Sequence, residues 1–290
     1  MKVTVPASTA NLGPGFDHLG AALSLKLELR TVDGSGWTYV HEGPGAPKTP
    51  LDGALVRQAM EAVYDEAMTV GLEMKSSIPV GCGLGSSGAA IVAGLLLGCA
   101  LADKRPDPVE LLPLAAGIEG HLDNIAASYY GGLVNVVSQA PGGWDVMRFR
   151  PVSSVRPLIL LPAKGLSTQE ARGVLPEQVP LKDAVANSSR ATGLLGMLTG
   201  STETTSARLL EFTSEFIHQP SRASLMKKTT KAMNSLRDKG IAAAVSGAGP
   251  SVVCLVIKGE EERVRIEAQA LTGWELLELE WDLEGARIHR

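Results

Sequence analysis

An α+β fold is predicted by three features of this 290-residue chain. Leu23, Leu25, Leu27 and Leu29 alternate with Ser24, Lys26, Glu28 and Arg30, the period-two pattern of a strand with one wet face. Val56, Ala59, Met60, Val63, Ala67 and Val70 recur at helical spacing along one stripe. Strands and helices then follow one another without the regular alternation that builds a parallel sheet. The length suits a large buried core divided between two domains or lobes.

The elements read in order as follows. Val3-Thr4-Val5 opens a first strand, the Leu23–Arg30 segment is a second, and Trp37 to Glu42 reads as its partner. An amphipathic helix is expected from Ala54 to Val70. Ala89 to Ala102 is apolar for 14 residues, too short to span a bilayer and suited to a helix buried on all sides. A helix near Val109 to Glu119 should be interrupted by Pro113, which lacks the N–H a helix interior needs. Gly132 to Val137 and Trp144 to Arg150 read as a hairpin around Pro141-Gly142-Gly143. The Pro- and Ser-rich stretch from Pro151 to Pro157 is the expected lobe boundary, giving units of 1–153 and 154–290. Beyond it come a buried strand at Leu158–Leu161 and helices at Leu181–Leu198, Glu203–Phe216 and Ala223–Lys239, the last capped by Gly240. Strands at Ala242–Val245 and Val252–Ile257, a helix at Glu260–Leu271 and closing strands from Trp274 complete the chain.

The most informative segment is Pro79-Val80-Gly81-Cys82-Gly83-Leu84-Gly85-Ser86-Ser87-Gly88-Ala89. Glycines at alternate positions admit positive φ and bring backbone N–H groups close to an anion, where a Cβ would obstruct. The helix beginning near Ser87 adds unpaired N–H groups and the positive end of its dipole, so the loop reads as a cradle for a di- or triphosphate. A simple strand-to-helix turn needs one special glycine, and this loop contains four. No lysine stands between Lys75 and Lys104, which excludes a P-loop. Gly83 to Gly88 satisfies G-x-G-x-x-G, but the next acid is Asp103, in a polar segment that ends the helix and not on a second strand.

Composition narrows the function classes. Hydrophobic residues make up 44%, charged residues 20%, and the net charge is −4, values of an ordinary soluble protein. Basic residues are scattered and aromatics amount to 4%, so neither a nucleic acid nor a membrane is an expected partner. Cys82, Cys99 and Cys254 are far apart and read as free thiols of a reducing cytoplasm. The first residues carry one lysine and no long apolar stretch, so no signal peptide is expected.

Three further polar segments stand out. Pro6 to Asp17 is rich in Gly, Pro, Asn and Ser and places Asn11 and Asp17 on a rigid turn, where they suit a polar substrate. Ser246-Gly247-Ala248-Gly249-Pro250-Ser251 is a second glycine-rich turn between apolar strands. Glu119-Gly120-His121-Leu122-Asp123-Asn124 groups titratable side chains between a helix and an apolar strand, where plain surface solvation is the competing explanation.

In that order and spacing, Pro6 to Asp17, Pro79 to Ala89 and Ser246 to Ser251 resemble the three motifs of the kinases that phosphorylate galactose, homoserine, mevalonate and phosphomevalonate. Ser8-x-x-Asn11-Leu12-Gly13-x-Gly15-Phe16-Asp17, His121-x-Asp123-Asn124, the Ser167 to Arg172 stretch followed by Leu175-Pro176, and Phe216 to Arg222 resemble the homoserine branch. The likeness runs over essentially the whole chain. It implies an N-terminal lobe like ribosomal protein S5, a C-terminal lobe with a ferredoxin-like core, and an active site in the cleft between them. ATP phosphates would lie on Pro79, Gly81, Gly83, Leu84, Gly85, Ser86, Ser87, Gly88 and Ala89, with Ser87 and Glu119 assisting Mg²⁺. L-homoserine would be held by Arg172 and Arg222 at its carboxylate and by Asn11 and Asp17 at its hydroxyl and ammonium end. His121, Asp123, Asn124, Gly247 and Gly249 would line the same pocket, with Asp123 the base candidate in a transfer that needs no strong base. Two departures from the pattern are Ala54-Leu55, where many relatives carry an asparagine near the adenine, and Glu119 standing only two residues before His121. A kinase of another carboxylate-bearing alcohol, such as shikimate or mevalonate, and a non-catalytic nucleotide sensor remain open readings, as does a homodimer.

Overall fold

The computed structural model describes residues 1–45, 51, 53–139 and 143–289. A first sheet is built around β2 (Gly15–Val32), whose length lets it pair with three neighbours. β1 (Lys2–Asn11) runs antiparallel along it, with Val5 opposite Leu27. β4 (Gly71–Ser76) takes the outer half of the other edge and the hairpin strand β5 (Leu133–Gln139) the inner half, followed by β6 (Gly143–Phe149). The leucine alternation holds at Leu23, Leu27 and Leu29, which are buried against exposed Ser24 and Arg30, and lapses at Leu25, which is half-buried like Lys26 and Glu28 where the register with β1 shifts. The expected hairpin turn at Pro141-Gly142 lies outside the described residues.

The expected pairing of the third strand is corrected. β3 (Trp37–His41) lies parallel to β4, not against β2, because β4 occupies the edge of β2 that β3 would need. The first helix is also shorter than its apolar stripe suggests. α1 (Ala54–Glu61) stops, and a 3₁₀ turn at Ala67–Thr69 carries Ala67 into the core. Arg57 Nη1 donates to the carbonyls of Ala67, at 2.8 Å, and Val70, which holds this turn in place of further helix.

α2 (Ser86–Leu101) is buried from Gly88 to Ala100, as its unbroken apolar sequence requires. It packs with α4 (Asp123–Tyr130) across β1 and β2. α3 (Pro108–Glu119) runs through Pro113 without interruption. Pro113 lies in its second turn, so only the bond to Val109 is forfeited, and Asp107 secures the start by accepting from Val109 N–H. α4 itself has no periodic stripe long enough to announce it in the sequence.

β7 (Val155–Pro162) begins a second, four-stranded sheet in the order β10 (Trp274–Glu278), β7, β9 (Val252–Ile257), β8 (Ala242–Val245). β8, β9 and the Leu158–Leu161 stretch of β7 are apolar because both faces are covered. Ile159, Leu161, Val253 and Leu255 join the main core, while Leu158, Leu160, Val252 and Cys254 face a second cluster under α9 (Lys227–Asp238) and α10 (Glu261–Gln269). The last strand, β11 (Arg287–His289), returns to pair with β1 in the first sheet.

Several helices of this half differ from expectation. α5 (Thr168–Arg172) was not signalled, α6 (Leu181–Leu198) matches its expected bounds, and α7 (Ser206–Phe212) is shorter than predicted. The helix expected from Ala223 begins at Lys227, preceded by a separate α8 (His218–Arg222). Glu215 explains α8: its carboxylate accepts from the N–H groups of Ile217, His218 and Gln219 at 2.5, 2.8 and 2.7 Å. Among the described residues no helix is long and apolar enough to cross a membrane.

Candidate active site

Three glycine-rich segments lock together at the end of β1. Thr9 Oγ1 and Ser246 Oγ share a hydrogen bond of 2.9 Å, Ser246 Oγ donates to the Gly83 carbonyl at 2.7 Å, and Asn11 Nδ2 donates to the Gly247 carbonyl at 2.7 Å. The loops approach so closely that a Cβ on Gly83 would stand 2.2 Å from the Ser246 carbonyl oxygen. Gly81, Gly83 and Gly85 all adopt positive φ, as the alternation of glycines implied. Among the described residues nothing accepts a hydrogen bond from the N–H groups of Ser86 and Ser87 at the start of α2, and no side chain caps that end. These donors border a cavity of about 290 Å³ and are free for an anion.

The cavity gathers most of the residues singled out by sequence. Gly81, Gly83, Leu84, Gly85, Ser86 and Ser87 form one wall; Asn11, Asp17, Glu119, His121, Asp123, Asn124, Arg172, Arg222 and Gly247 line the rest. Pro79, Gly88, Ala89 and Gly249 are not on its wall. Gly88 lies at the contact of α2 with Asn124 and Ile125 of α4, and Gly249 packs against Met226. An apolar end is formed by Leu51, Leu55, Val56, Met74 and Ala90, a part of the site that composition did not mark.

Next to the cradle, Ser87 Oγ donates to Glu119 Oε1 at 2.5 Å, bringing together residues 32 positions apart. His121 Nε2 lies 3.7 Å from the same carboxylate oxygen, and His121 Nδ1 lies 3.0 Å from Asp123 Oδ1. The Asp123 oxygen also accepts from Asn124 N–H at 2.7 Å, so it is already engaged, while His121 Nε2 is buried with no hydrogen-bond partner. Burial works against a charge on His121, and the Asp123 carboxylate more than offsets it, leaving the pKa above its ordinary value. Surface solvation therefore does not explain this group.

The other end is cationic. Arg172 grips Asp17 with two hydrogen bonds of 3.1 and 2.7 Å, a fork across 155 sequence positions. Asn11 has its amide committed to protein partners, Gly247 and Asp17 N–H, and so ties the first and third segments together. Arg222 is 2% exposed, donates through Nε to the Ala171 carbonyl at 2.9 Å, and stands 5.4 Å over the Phe16 ring. Glu215 and His218, which shape this end, carried no sequence signal beyond lying in the Phe216–Arg222 neighbourhood.

His218 gives the site a pH signature. It is fully buried, and burial together with the Arg222 charge pushes its pKa down to about 3. The unfolded chain takes up this proton near pH 6.5, about the free-imidazole value, while the native state refuses it. Between those values the unfolded state holds more protons, so stability falls as pH falls. A melting scan from about pH 7 to about pH 4 should show a steeper acid loss in the wild type than in His218→Asn; equal slopes contradict this.

Comparison with known proteins gives the family. Residues 54–132 match the family model for the GHMP kinases N terminal domain and residues 199–272 that for the GHMP kinases C terminal. A homoserine kinase of Streptomyces coelicolor is 39% identical, covering 99% of this chain and 94% of its own, and one of Clavibacter michiganensis is 40% identical, covering 99% and 93%. A crystal structure of homoserine kinase from Cytophaga hutchinsonii superposes with a TM-score of 0.78 at 27% identity, covering 100% of this chain and 97% of that one. With a cradle, an acidic cluster and two arginines on one cavity, and relatives that match over nearly their full length, the chain belongs to the homoserine kinase family of GHMP kinases.

Proposed function

We propose that the chain transfers the γ-phosphoryl group of ATP to the side-chain hydroxyl of L-homoserine, giving O-phospho-L-homoserine and ADP, a step of threonine biosynthesis. The observation that carries this reading is that the cradle of free N–H groups and the Asp17, Arg172 and Arg222 cluster face one cavity. The polyphosphate is held on backbone donors from Gly83 to Ser87, and the nucleoside lies toward the apolar end at Leu55 and Met74. Arg222 takes the carboxylate of the amino acid, and the Asp17–Arg172 pair offers one charge of each sign to a zwitterion. Shikimate and mevalonate lack an ammonium group, so Asp17 favours homoserine over them.

Ser87 and Glu119 suit Mg²⁺. Both are hard oxygen donors beside the cradle, and among the described residues no group of three His, Cys, Asp or Glu forms a metal cage of its own. Mg²⁺ is commonly held by one or two such protein oxygens with phosphates and water completing the shell. When bound, the ion draws charge from the phosphate oxygens. The homoserine oxygen attacks the γ-phosphorus, the bond to the β,γ-bridging oxygen breaks, and ADP leaves. His121, steadied through Nδ1 by Asp123, is the residue we assign to receive the hydroxyl proton.

The test is ADP release with homoserine, shikimate, mevalonate and galactose supplied in turn. Release confined to homoserine is the expected result; equal or faster release with another alcohol overturns the reading. Glu119→Gln is expected to lower kcat roughly a hundredfold, the scale of one lost electrostatic partner, and to raise the Mg²⁺ concentration needed for half-maximal rate. An unchanged Mg²⁺ requirement removes Glu119 from the metal site.

A further inference from the structure

We propose that His218 is a positioning residue that keeps Arg222 un-neutralised and aimed at the acceptor's carboxylate, by offering the guanidinium an uncharged nitrogen in place of a carboxylate. This role rests on the reading above in which Arg222 meets the carboxylate of homoserine.

The two residues stand four apart on α8 and are 0% and 2% exposed. Arg222 Nη1 lies 3.1 Å from His218 Nδ1 and 3.4 Å from the Gly247 carbonyl oxygen, while Nε donates to the Ala171 carbonyl. A guanidinium has donors only, so Nδ1 must be the unprotonated nitrogen. The other nitrogen, Nε2, stands 3.1 Å from the Gly13 carbonyl oxygen, an acceptor, and therefore carries the proton. Both partners thus fix one neutral tautomer. Phe16 stacks on the imidazole at 5.1 Å, and its ring also lies 5.4 Å from the guanidinium carbon of Arg222.

Among the described residues, every acceptor hydrogen-bonded to Arg222 is uncharged. Among the described residues no carboxylate forms an ion pair with it, because each nearby acid is engaged elsewhere: Asp17 by Arg172, Glu215 by three backbone N–H groups, and Asp123 by His121 and Asn124. A buried cation is ordinarily paired, since desolvation without a counter-charge is costly. Here, among the described residues, the carboxylates of Asp17, Glu215 and Asp123 act on Arg222 only from a distance, and none is hydrogen-bonded to it. An aspartate at position 218 would stabilise the empty protein and cancel the charge that the acceptor must find. His218 supplies geometry without charge, and burial and the Arg222 charge keep it unprotonated at neutral pH.

The test compares wild type with His218→Asn, His218→Gln and His218→Asp, using ATP, Mg²⁺ and either homoserine or homoserine amide, in which the carboxylate is neutral. Asparagine retains an acceptor near the Nδ1 position; glutamine reaches the Gly13 carbonyl but leaves Arg222 without an acceptor. His218→Asp is expected to raise the KM for homoserine about 30-fold or more, with the KM for ATP and kcat within about threefold, and to lose the preference for homoserine over the amide. His218→Asn should keep that preference, and His218→Gln should raise the KM for homoserine about tenfold. Preference retained in His218→Asp, or asparagine and glutamine variants impaired alike with the same loss of melting temperature, overturns the role. Should His218→Asp fail to fold, the asparagine and glutamine pair decides it. A wild type that does not distinguish homoserine from the amide overturns the functional reading and this role together; a wild type that does, beside an equally discriminating His218→Asp, overturns this role alone.

Discussion

Arg222→Ala is expected to raise the KM for homoserine by a loss on the order of 2–5 kcal/mol, the scale for removing one member of a desolvated charge pair. The KM for ATP should change little, because Arg222 donates to Ala171, His218 and Gly247 and to no residue of the Gly81–Gly88 loop. Arg172→Ala should do less. Its guanidinium is about one-third exposed and already engaged by Asp17, so part of its charge is compensated before any substrate arrives. Arg222→Lys should be a poor replacement, since a lysine cannot donate to Ala171, Gly247 and His218 at once. Initial-rate kinetics with each substrate varied would check this ordering. Equal losses at Arg172 and Arg222, or a loss confined to ATP, would contradict it.

Gly85→Ala is expected to reduce ATP affinity by about a hundredfold or more, the loss of two or more charge-assisted backbone hydrogen bonds. The position has φ of +68°, and a Cβ there would stand 2.0 Å from Ser8 Oγ. Left-handed backbone alone costs an alanine about 1–2 kcal/mol. The close approach matters more, because Ser8 is fully buried and donates to Asn124 Oδ1 at 2.9 Å, so both the cradle and the α4 start must shift. The melting temperature should therefore fall as well, beyond what a loop substitution alone would cause. Gly273→Ala is the control: its φ is +85° with nothing within 4 Å of an added Cβ. It should share the backbone strain and bind ATP normally. Calorimetry showing unchanged ATP affinity in a folded Gly85→Ala protein would remove the phosphates from this loop.

What the sequence made legible was local. The glycine-rich loop stood out because four glycines exceed what a simple strand-to-helix turn needs, and the alternation within β2 was visible in the sequence. Three kinds of feature escaped. Pairing between distant segments did, as with β3, which lies against β4 and not β2. Short helices did too: α4, α5 and α8 are too brief for a stripe to show, and α8 depends on the buried carboxylate of Glu215 outside it. Charge partnerships formed the third group. Nothing in the spacing of Asp17 and Arg172 reveals that they grip one another, and that contact changes what each offers a substrate. The resemblance supplied candidate residues, whereas their order of importance followed from burial and from which hydrogen bonds were already made.

Phosphorus NMR of the product formed from ATP, Mg²⁺ and L-homoserine tests the central claim most directly. The account predicts a phosphomonoester signal coupled to the protons of the carbon that bears the side-chain oxygen, appearing together with ADP. ADP accompanied only by inorganic phosphate, or a phosphoryl group attached to the carboxylate or nitrogen of the amino acid, would contradict it.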